Sequence, residues 1–155
     1  MGSPADKFAT PRLAAGALFV NADKILLVRK TYGNRWDIPG GYVDIGESPA
    51  DACEREVREE LGLTRSIQRL LVHDWAPNGA EGDKILYVFD CGGLGEDEQR
   101  IQLDQVELDK VEWVAVSRLG DFVIPRLERR LTEAFQAHGG VAPVYLEHGQ
   151  PRTGR

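Results

Sequence analysis

The segment from residue 48 to residue 62 carries a start signal, a stop signal and an apolar stripe that together specify one α-helix. Ser48 is a preferred N-cap residue, Pro49 suits the first helical position, and Asp51 completes a pair that resembles a capping box. Gly62 is typical of the left-handed residue that ends a helix. The apolar stripe facing the core consists of Ala50, Cys53, Val57 and Leu61.

Three carboxylates crowd one face of this helix near its C-terminal end. Glu56, Glu59 and Glu60 stand at positions i, i+3 and i+4, which share a face. Like charges at this spacing repel by roughly 0.2–0.5 kcal/mol per pair, and the helix dipole disfavours anions at the C-terminus. A bound divalent cation would remove both costs. Oxygen ligands without His or Cys favour Mg²⁺, with Mn²⁺ as an alternative, so we expect a metal site at the edge of the core.

The segment Gly41 to Leu63, GYVDIGESPADACEREVREELGL, resembles the signature of the Nudix hydrolases. That signature reads Gly, five residues, Glu, seven residues, then Arg-Glu-apolar-any-Glu-Glu-any-Gly-apolar, and nine defined positions at fixed spacing make it highly specific. The chain meets all of them with Gly41, Glu47, Arg55, Glu56, Val57, Glu59, Glu60, Gly62 and Leu63. The preceding residues 36–40, WDIPG, also resemble the family's usual lead-in.

The resemblance implies roles for the metal-binding residues. Glu56 and Glu60 would bind the metal, and Glu59 would bind metal or take a proton. Gly40 would contribute its backbone carbonyl, because a glycine lets an ion approach the backbone closely. Divalent ions that bridge carboxylates and phosphate neutralise charge and activate a water, which is what the hydrolysis of a diphosphate requires.

The resemblance also implies residues that support the reaction. Arg55 would pair with Glu47, fixing the loop before the helix and orienting the neighbouring metal ligand. Family members often add an acid from a later loop, and Glu107 matches that position best. Its neighbours Asp104 and Asp109 remain alternatives.

Substrate contacts are expected from cationic and aromatic side chains. Arg29, at the end of the second strand, resembles a phosphate-contacting position in the family, and Arg35 and Lys30 are further candidates. The aromatic candidates for stacking on a base are Trp36, Trp75 and Tyr87. An aromatic residue in a strand is more often part of the core, and a basic residue at a loop edge is more often solvated.

Length and composition narrow the class of protein. A chain of 155 residues is expected to form one domain with its own core. A formal charge of −6 argues against a general nucleic-acid binder, and the polar first residues contain no apolar run that resembles a signal or a membrane span. Cys53 and Cys91 are too few for a disulfide framework, which favours reduced thiols in a cytoplasmic protein.

The order of the remaining segments predicts a compact α/β domain. Apolar runs at 13–20 and 24–30 predict a hairpin, and a second amphipathic helix is expected at 125–137. Further strands are expected at 67–75, 84–91 and 111–116, with a mobile loop at 92–100. The strands should form a mixed sheet between helices, and the resemblance sharpens this to a Nudix-type α/β/α sandwich. The domain should span residues 12–148, between a flexible segment at 1–11 and a disordered tail at 149–155.

Two classes of function follow from the resemblance. The favoured one is a Mg²⁺-dependent pyrophosphohydrolase that acts on a nucleoside diphosphate linked to another moiety. The alternative is a catalytically silent sensor domain, although such domains generally lose a metal carboxylate or the residue equivalent to Glu47. Pro77 lies close to where ADP-ribose-hydrolysing members carry a proline, which favours ADP-ribose or a nucleotide sugar over a (d)NTP. The expected partner is a small nucleotide substrate, and a homodimer remains open.

Overall fold

Ten strands and two α-helices are present in the computed structural model, which describes residues 7–152. The strands are β1 (Arg12–Leu18), β2 (Val20–Asn21), β3 (Lys24–Lys30), β4 (Trp36–Asp37), β5 (Gly40–Tyr42), β6 (Arg69–Trp75), β7 (Lys84–Asp90), β8 (Leu108–Ala115), β9 (Val144–Glu147) and β10 (Gln150–Pro151). The α-helices are α1 (Pro49–Leu61) and α2 (Pro125–His138), and two 3-10 helices cover Gly95–Arg100 and Val116–Asp121.

The strands form two sheets. A mixed six-stranded sheet has the order β10-β9-β6-β7-β1-β5, with parallel pairing of β1 to β7 and of β6 to β9. In the second, antiparallel sheet, β3 pairs with β2, β4 and β8. The expected α/β class with a mixed sheet is confirmed, although the strands divide between two sheets.

The helices enclose the sheets and define two cores. Helix α1 packs against β1 and β5, whereas α2 packs against β6 and β9. Strand β3 contributes to both cores because successive side chains of a strand point to opposite faces. Its Leu26 and Val28 lie in the core under α1, while Ile25 and Leu27 lie in the core under α2. The result is the α/β/α arrangement that the sequence predicts.

The predicted hairpin between residues 13–20 and 24–30 is wrong in its pairing. Strand β1 pairs with β5 and β7, and the hairpin with β3 is formed by the short strand β2 alone, through Val20 and Asn21. The fully buried Phe19 lies where the chain crosses from one sheet to the other. Two adjacent apolar runs look the same in sequence whether they pair with each other or with separate neighbours.

The C-terminal region differs from the expected disordered tail at 149–155. Strand β9 was not predicted, and Gln150–Pro151 pairs with it as a short antiparallel strand. The turn before Gln150 is held against β6, because the Gly149 N–H donates a hydrogen bond to the buried Asp74 carboxylate at 3.0 Å. Residues 1–6 of the expected flexible segment and residues 153–155 of the tail lie outside the described part of the chain.

The segment 92–100, expected to be a mobile loop, ends in the 3-10 helix Gly95–Arg100. Leu94 is buried before this helix. Arg65 Nη1 donates to Asp97 Oδ2 at 2.9 Å, which ties the helix to the segment after α1. Ion pairing and a single buried leucine therefore order a stretch that is rich in glycine and acids.

Helix α1 has the ends that its sequence predicts. The Ser48 hydroxyl accepts a hydrogen bond from the Asp51 N–H at 3.0 Å, and Gly62 adopts a left-handed φ of 70°. Cys53 and Val57 of its stripe are buried, and both cysteines of the chain are free thiols. These caps and contacts hold the glutamates of α1 in fixed positions beside β5. Across residues 7–152, no helix has the length and apolar character needed to span a membrane.

Candidate active site

An ion pair fastens the loop after β5 onto α1. Arg55 Nε and Nη2 donate to the two carboxylate oxygens of Glu47 at 2.8 and 2.9 Å, and Nη2 also donates to the Tyr42 carbonyl at 3.1 Å. Hydrogen bonds from Arg55 and from the Asp44 N–H lower the pKa of Glu47 to about 2. The pairing implied by the family resemblance is therefore present, and it fixes the loop at both ends.

Glu56 is held between Arg55 and the glycine strand β5. Arg55 Nη1 donates to Glu56 Oε1 at 3.0 Å, and a Cβ atom at Gly41 would lie 2.5 Å from the same oxygen. Burial raises the pKa of Glu56, and the contact with Arg55 opposes that rise only in part. The absence of a side chain at Gly41 is therefore what makes room for the carboxylate.

Glu60 is the most buried acid of the cluster, with 2% of its surface exposed. It accepts a hydrogen bond from the Gly40 N–H at 2.6 Å and another from Lys30 Nζ at 3.2 Å. Burial raises the pKa of Glu60 to about 7, against the opposing effects of Lys30 and Gly40. Burial also works against the charge of Lys30, but Glu60 outweighs it and the pKa of Lys30 is raised.

Gly40 brings this part of the chain close to β1. A Cβ atom at Gly40 would lie 2.3 Å from the Ala15 carbonyl oxygen, and its φ is +156°. Only a glycine allows this approach, which aims the Gly40 N–H at Glu60.

Glu59 is the most exposed of the three carboxylates that the sequence places on one helix face. Its side chain is 58% exposed and accepts a hydrogen bond from Arg55 Nη1 at 3.2 Å. Arg55 stands four residues earlier on the same helix, so it draws Glu59 towards solvent. Within residues 7–152, no three acidic, histidine or cysteine side chains converge in a way that would hold a metal ion.

The chemistry of the remaining donors nevertheless fits a hard divalent cation. Glu56 and Glu60 supply carboxylate oxygens that burial makes costly to ionise. The cationic Lys30 already lies against Glu60 and offsets part of that cost. Carboxylates desolvated in this way favour a nearby positive charge, and oxygen ligands suit Mg²⁺ or Mn²⁺.

Glu56 and Glu60 line a cavity of about 450 Å³, called here the carboxylate cavity. Glu107 lines it as well, and a hydrogen bond from the Thr31 N–H to the Glu107 carbonyl fixes that loop at 2.8 Å. Asp104 instead caps its own turn, since its Oδ1 accepts the N–H groups of residues 106, 107 and 108. Of the three candidate acids in this region, Glu107 is the one that faces the cavity.

Arg29, predicted to contact substrate, is paired with an acid of strand β8 in this structure. Its Nε and Nη2 donate to the two oxygens of Asp109 at 2.9 and 2.8 Å. This pairing lowers the pKa of Asp109 and raises that of Arg29. Arg29 is absent from the walls of both this cavity and the one beside it, and Lys30 on the opposite face of β3 lines the cavities instead. A shift of one residue along β3 therefore decides whether Arg29 or Lys30 reaches the site.

A second cavity of about 380 Å³, called here the side cavity, opens beside the first. The two share several wall residues, which are Lys30, Arg35, Asp37, Lys84, Leu86, Leu127 and Arg130. Trp36 lines the side cavity and makes an edge-to-face contact with Phe122 at 5.5 Å. Tyr87 lines the carboxylate cavity, whereas Trp75, the other aromatic candidate, lines neither.

Sequence reasoning missed Asp37, Lys84 and Arg130 among these wall residues. A signal for Arg130 was present, because it falls between Leu127 and Leu131 on the buried stripe of α2. A charged residue at a core position of an amphipathic helix indicates a buried partner or a site.

Comparison with known proteins decides the family. The model of the NUDIX domain family matches residues 10–136, which is most of the chain. The chain belongs to the Nudix family. Together with relatives named as diphosphatases and pyrophosphatases, this makes it a hydrolase of pyrophosphate bonds. Nudix pyrophosphatases generally depend on a divalent metal ion.

The curated relatives are named for different substrates. A putative 8-oxo-dGTP diphosphatase of Bacillus subtilis is 29% identical over 112 residues, covering 72% of this chain and 71% of that protein. The ADP-ribose pyrophosphatase of Mycobacterium tuberculosis is 39% identical over 79 residues, covering 49% of this chain and 37% of that protein. Another relative, the putative ADP-ribose pyrophosphatase YjhB of Bacillus subtilis, is matched over 31% of its length.

Solved structures of the family share the fold. A UDP-X diphosphatase superposes with a TM-score of 0.71 at 25% identity, covering 92% of this chain and 70% of that chain. The MutT protein of Methanosarcina mazei Go1 superposes with a TM-score of 0.70 at 27% identity, covering 87% of this chain and all of that chain.

Proposed function

We propose that this hydrolase cleaves the pyrophosphate bond of a nucleoside diphosphate linked to a second moiety, with ADP-ribose or a nucleotide sugar as the substrate class. The observation that carries the proposal is the junction of the two cavities. A diphosphate placed over Glu56 and Glu60 leaves the side cavity free for one of the groups attached to it. A ligand with a group on each side of the scissile bond uses both spaces.

Glu56 and Glu60 would hold the divalent cation, and Glu59 would join them or take a proton after leaving Arg55. The bound ion supplies charge neutralisation on the phosphate oxygens and a more acidic water. The backbone carbonyl of Gly40 is a further proposed ligand. The burial of Glu60 and its contact with Lys30 support this assignment, because they show a carboxylate that already relies on a nearby cation.

Glu107 is the proposed proton acceptor for the attacking water. It lines the carboxylate cavity from a loop, and its carboxylate makes no hydrogen bond within the described residues. Arg55 and Glu47 act as positioning residues, since their ion pair fixes the loop and the carboxylate of Glu56. Arg35 and Trp36 are the proposed substrate contacts in the side cavity.

A (d)NTP is the second candidate substrate class. It is favoured by the Bacillus subtilis relative that is named as a putative 8-oxo-dGTP diphosphatase, at 29% identity. The apolar wall residues of the side cavity would accept its base equally well. The two free, buried thiols support a reducing, cytoplasmic setting for either reaction.

A substrate panel with product analysis tests the proposal. ADP-ribose, four nucleotide sugars and eight (d)NTPs are incubated with the protein and Mg²⁺, and products are separated by ion-exchange chromatography. We expect the fastest turnover from an ADP-ribose or nucleotide-sugar substrate, with release of a nucleoside monophosphate and a sugar phosphate. Faster turnover of a (d)NTP, with release of pyrophosphate, would replace the first candidate by the second.

A further inference from the structure

Arg130 is a buried cation whose guanidinium is only partly used by the protein. The residue is 8% exposed, and its Nε donates to Asp74 Oδ2 at 2.6 Å. Its Nη1 and Nη2 have no hydrogen-bond partner among residues 7–152, and the side chain lines both cavities. Among residues 7–152 the buried polar side-chain atom without a partner is His73 Nδ1, so the Nη groups of Arg130 are open to the cavities and not sealed in the core. Two free N–H₂ groups at a cavity wall therefore indicate a ligand that accepts hydrogen bonds.

Asp74 holds this guanidinium in place. The carboxylate is fully buried in β6, with Oδ2 bound to Arg130 and Oδ1 bound to the Gly149 N–H at 3.0 Å. Both oxygens are thus used, so the carboxylate has a fixed orientation. A buried ion pair often contributes little net stability, so this pair is better explained as holding the Arg130 side chain in one orientation.

The C-terminal hairpin formed by β9 and β10 completes the support. Gly149 has a φ of +77°, and a Cβ atom there would lie 2.7 Å from the Arg126 carbonyl oxygen and 3.2 Å from the Arg130 nitrogen. Arg129 Nη2 donates to the His148 carbonyl at 2.8 Å. The turn is therefore packed directly on α2, next to the residue whose side chain enters the cavities.

The walls around Arg130 suit a nucleobase. The side cavity combines apolar and aromatic groups, among them Trp36, Phe122 and Leu127, with about as many charged and amide side chains. Its polar groups near Arg130 include Asp37, whose Oδ1 accepts the Ile38 N–H and whose Oδ2 accepts no hydrogen bond from residues 7–152. Aromatic and apolar surface beside fixed donors and acceptors suits a base that packs through its ring and hydrogen-bonds through its edge.

We propose that Arg130 is a specificity-determining residue that donates hydrogen bonds to the acceptor edge of the substrate's nucleobase. Asp74 and the C-terminal hairpin are its positioning elements. This inference rests on the proposed function, because it takes the side cavity as the place of the nucleoside. Arginine commonly binds base edges through two parallel hydrogen bonds.

The test compares base preference in wild type and in Arg130→Gln. kcat/KM is measured for ADP-, GDP-, UDP- and CDP-glucose, which differ only in the base. Wild type should prefer one base, and Arg130→Gln should lower kcat/KM for that base by roughly 5- to 150-fold, the range of a bidentate base contact. The other bases should change little, so the preference collapses. An equal loss for all four bases would overturn the inference, as would an unchanged preference.

Three further variants distinguish a direct contact between Arg130 and the base from an indirect effect on the surrounding structure. Glu133→Gln changes another charged residue of α2, which lines neither cavity, and should keep the wild-type preference. Arg130→Lys keeps the charge without the planar fork and should not restore it. The double variant Asp74→Leu/Arg130→Met replaces the buried pair by apolar groups, so it should fold and still lack the preference. Retained preference in the double variant would contradict the proposal.

Binding of nucleoside monophosphates distinguishes this inference from the proposed function. Calorimetry with AMP, GMP, UMP and CMP needs no turnover, so it applies even if the glucose compounds are not hydrolysed. Preferential binding of one nucleotide by wild type, lost in Arg130→Gln, supports the role of Arg130. Equal binding of all four nucleotides by wild type, or binding of none, refutes it even if hydrolysis of a nucleotide sugar is found.

Discussion

Replacing Glu60 by Gln should change how the stability of the protein depends on pH. Glu60 is 2% exposed, and burial raises its folded-state pKa to about 7 from an ordinary value of 4.5. Between these two values the folded state binds more protons than the unfolded state. The free energy of unfolding therefore falls as pH rises through this window, and the loss is complete above the folded pKa.

The magnitude follows from the size of the pKa shift. A change from 4.5 to about 7 corresponds to about 3 kcal/mol of stability, of which roughly 2.5 kcal/mol is lost between pH 5 and pH 8. Glu60→Gln has no proton to release at this position, so its free energy of unfolding should lack that part of the decline. In wild type the neighbouring Lys30 keeps its charge across this range, because Glu60 raises its pKa against the effect of burial.

Urea unfolding with EDTA, at intervals from pH 5 to pH 8, measures this difference. Wild type should lose stability relative to Glu60→Gln by roughly 2.5 kcal/mol across the range. Glu54→Gln on the same helix is the matched control, because Glu54 lies outside both cavities, and it should follow wild type. Parallel curves for wild type and Glu60→Gln would refute the assignment of Glu60 as a buried acid with a raised pKa.

Other expected outcomes test neighbouring parts of the site. Mg²⁺ should raise the Tm of wild type in calorimetry and raise that of Glu56→Gln less, and equal shifts would argue against Glu56 as a ligand. Gly41→Ala should displace the Glu56 carboxylate and lower kcat with little change in Tm, since the clash is with a flexible side-chain end. In Gly40→Ala the added Cβ would clash with the backbone of Ala15, so the free energy of unfolding measured in urea should fall by about 2 kcal/mol. Glu107→Gln should lower kcat by about 10²-fold at nearly constant KM and Tm, whereas wild-type kcat would assign the proton to another group.

Helix α1 could be predicted closely because its signals are local. Ser48, Pro49 and Gly62 lie at the ends that they specify, and the stripe between them is buried. The depth of Glu60 could not be predicted, since it depends on Lys30 and Gly40, which are 30 and 20 residues away in sequence. Local patterns set the helix, and distant contacts set the environment of its acids.

The surroundings of other residues also depend on contacts that local patterns do not show. Nothing near Arg29 in the sequence indicates a partner, but pairing of β3 with β8 places Asp109 beside it, 80 residues further along the chain. Glu59 matched the acidic face by spacing, yet Arg55 draws it outward. The C-terminal hairpin was missed because β9 has only four residues, although Gly149 gave a turn signal that could have been used.

Turnover by glutamine variants of α1 tests the central claim most directly. That claim is that Glu56 and Glu60 bind the divalent cation that the pyrophosphohydrolase needs. On the best substrate of the panel with saturating Mg²⁺, kcat should fall on the order of 10²-fold or more in Glu56→Gln and in Glu60→Gln. Glu54→Gln should turn over like wild type. Retention of near wild-type kcat by both site variants would contradict the account.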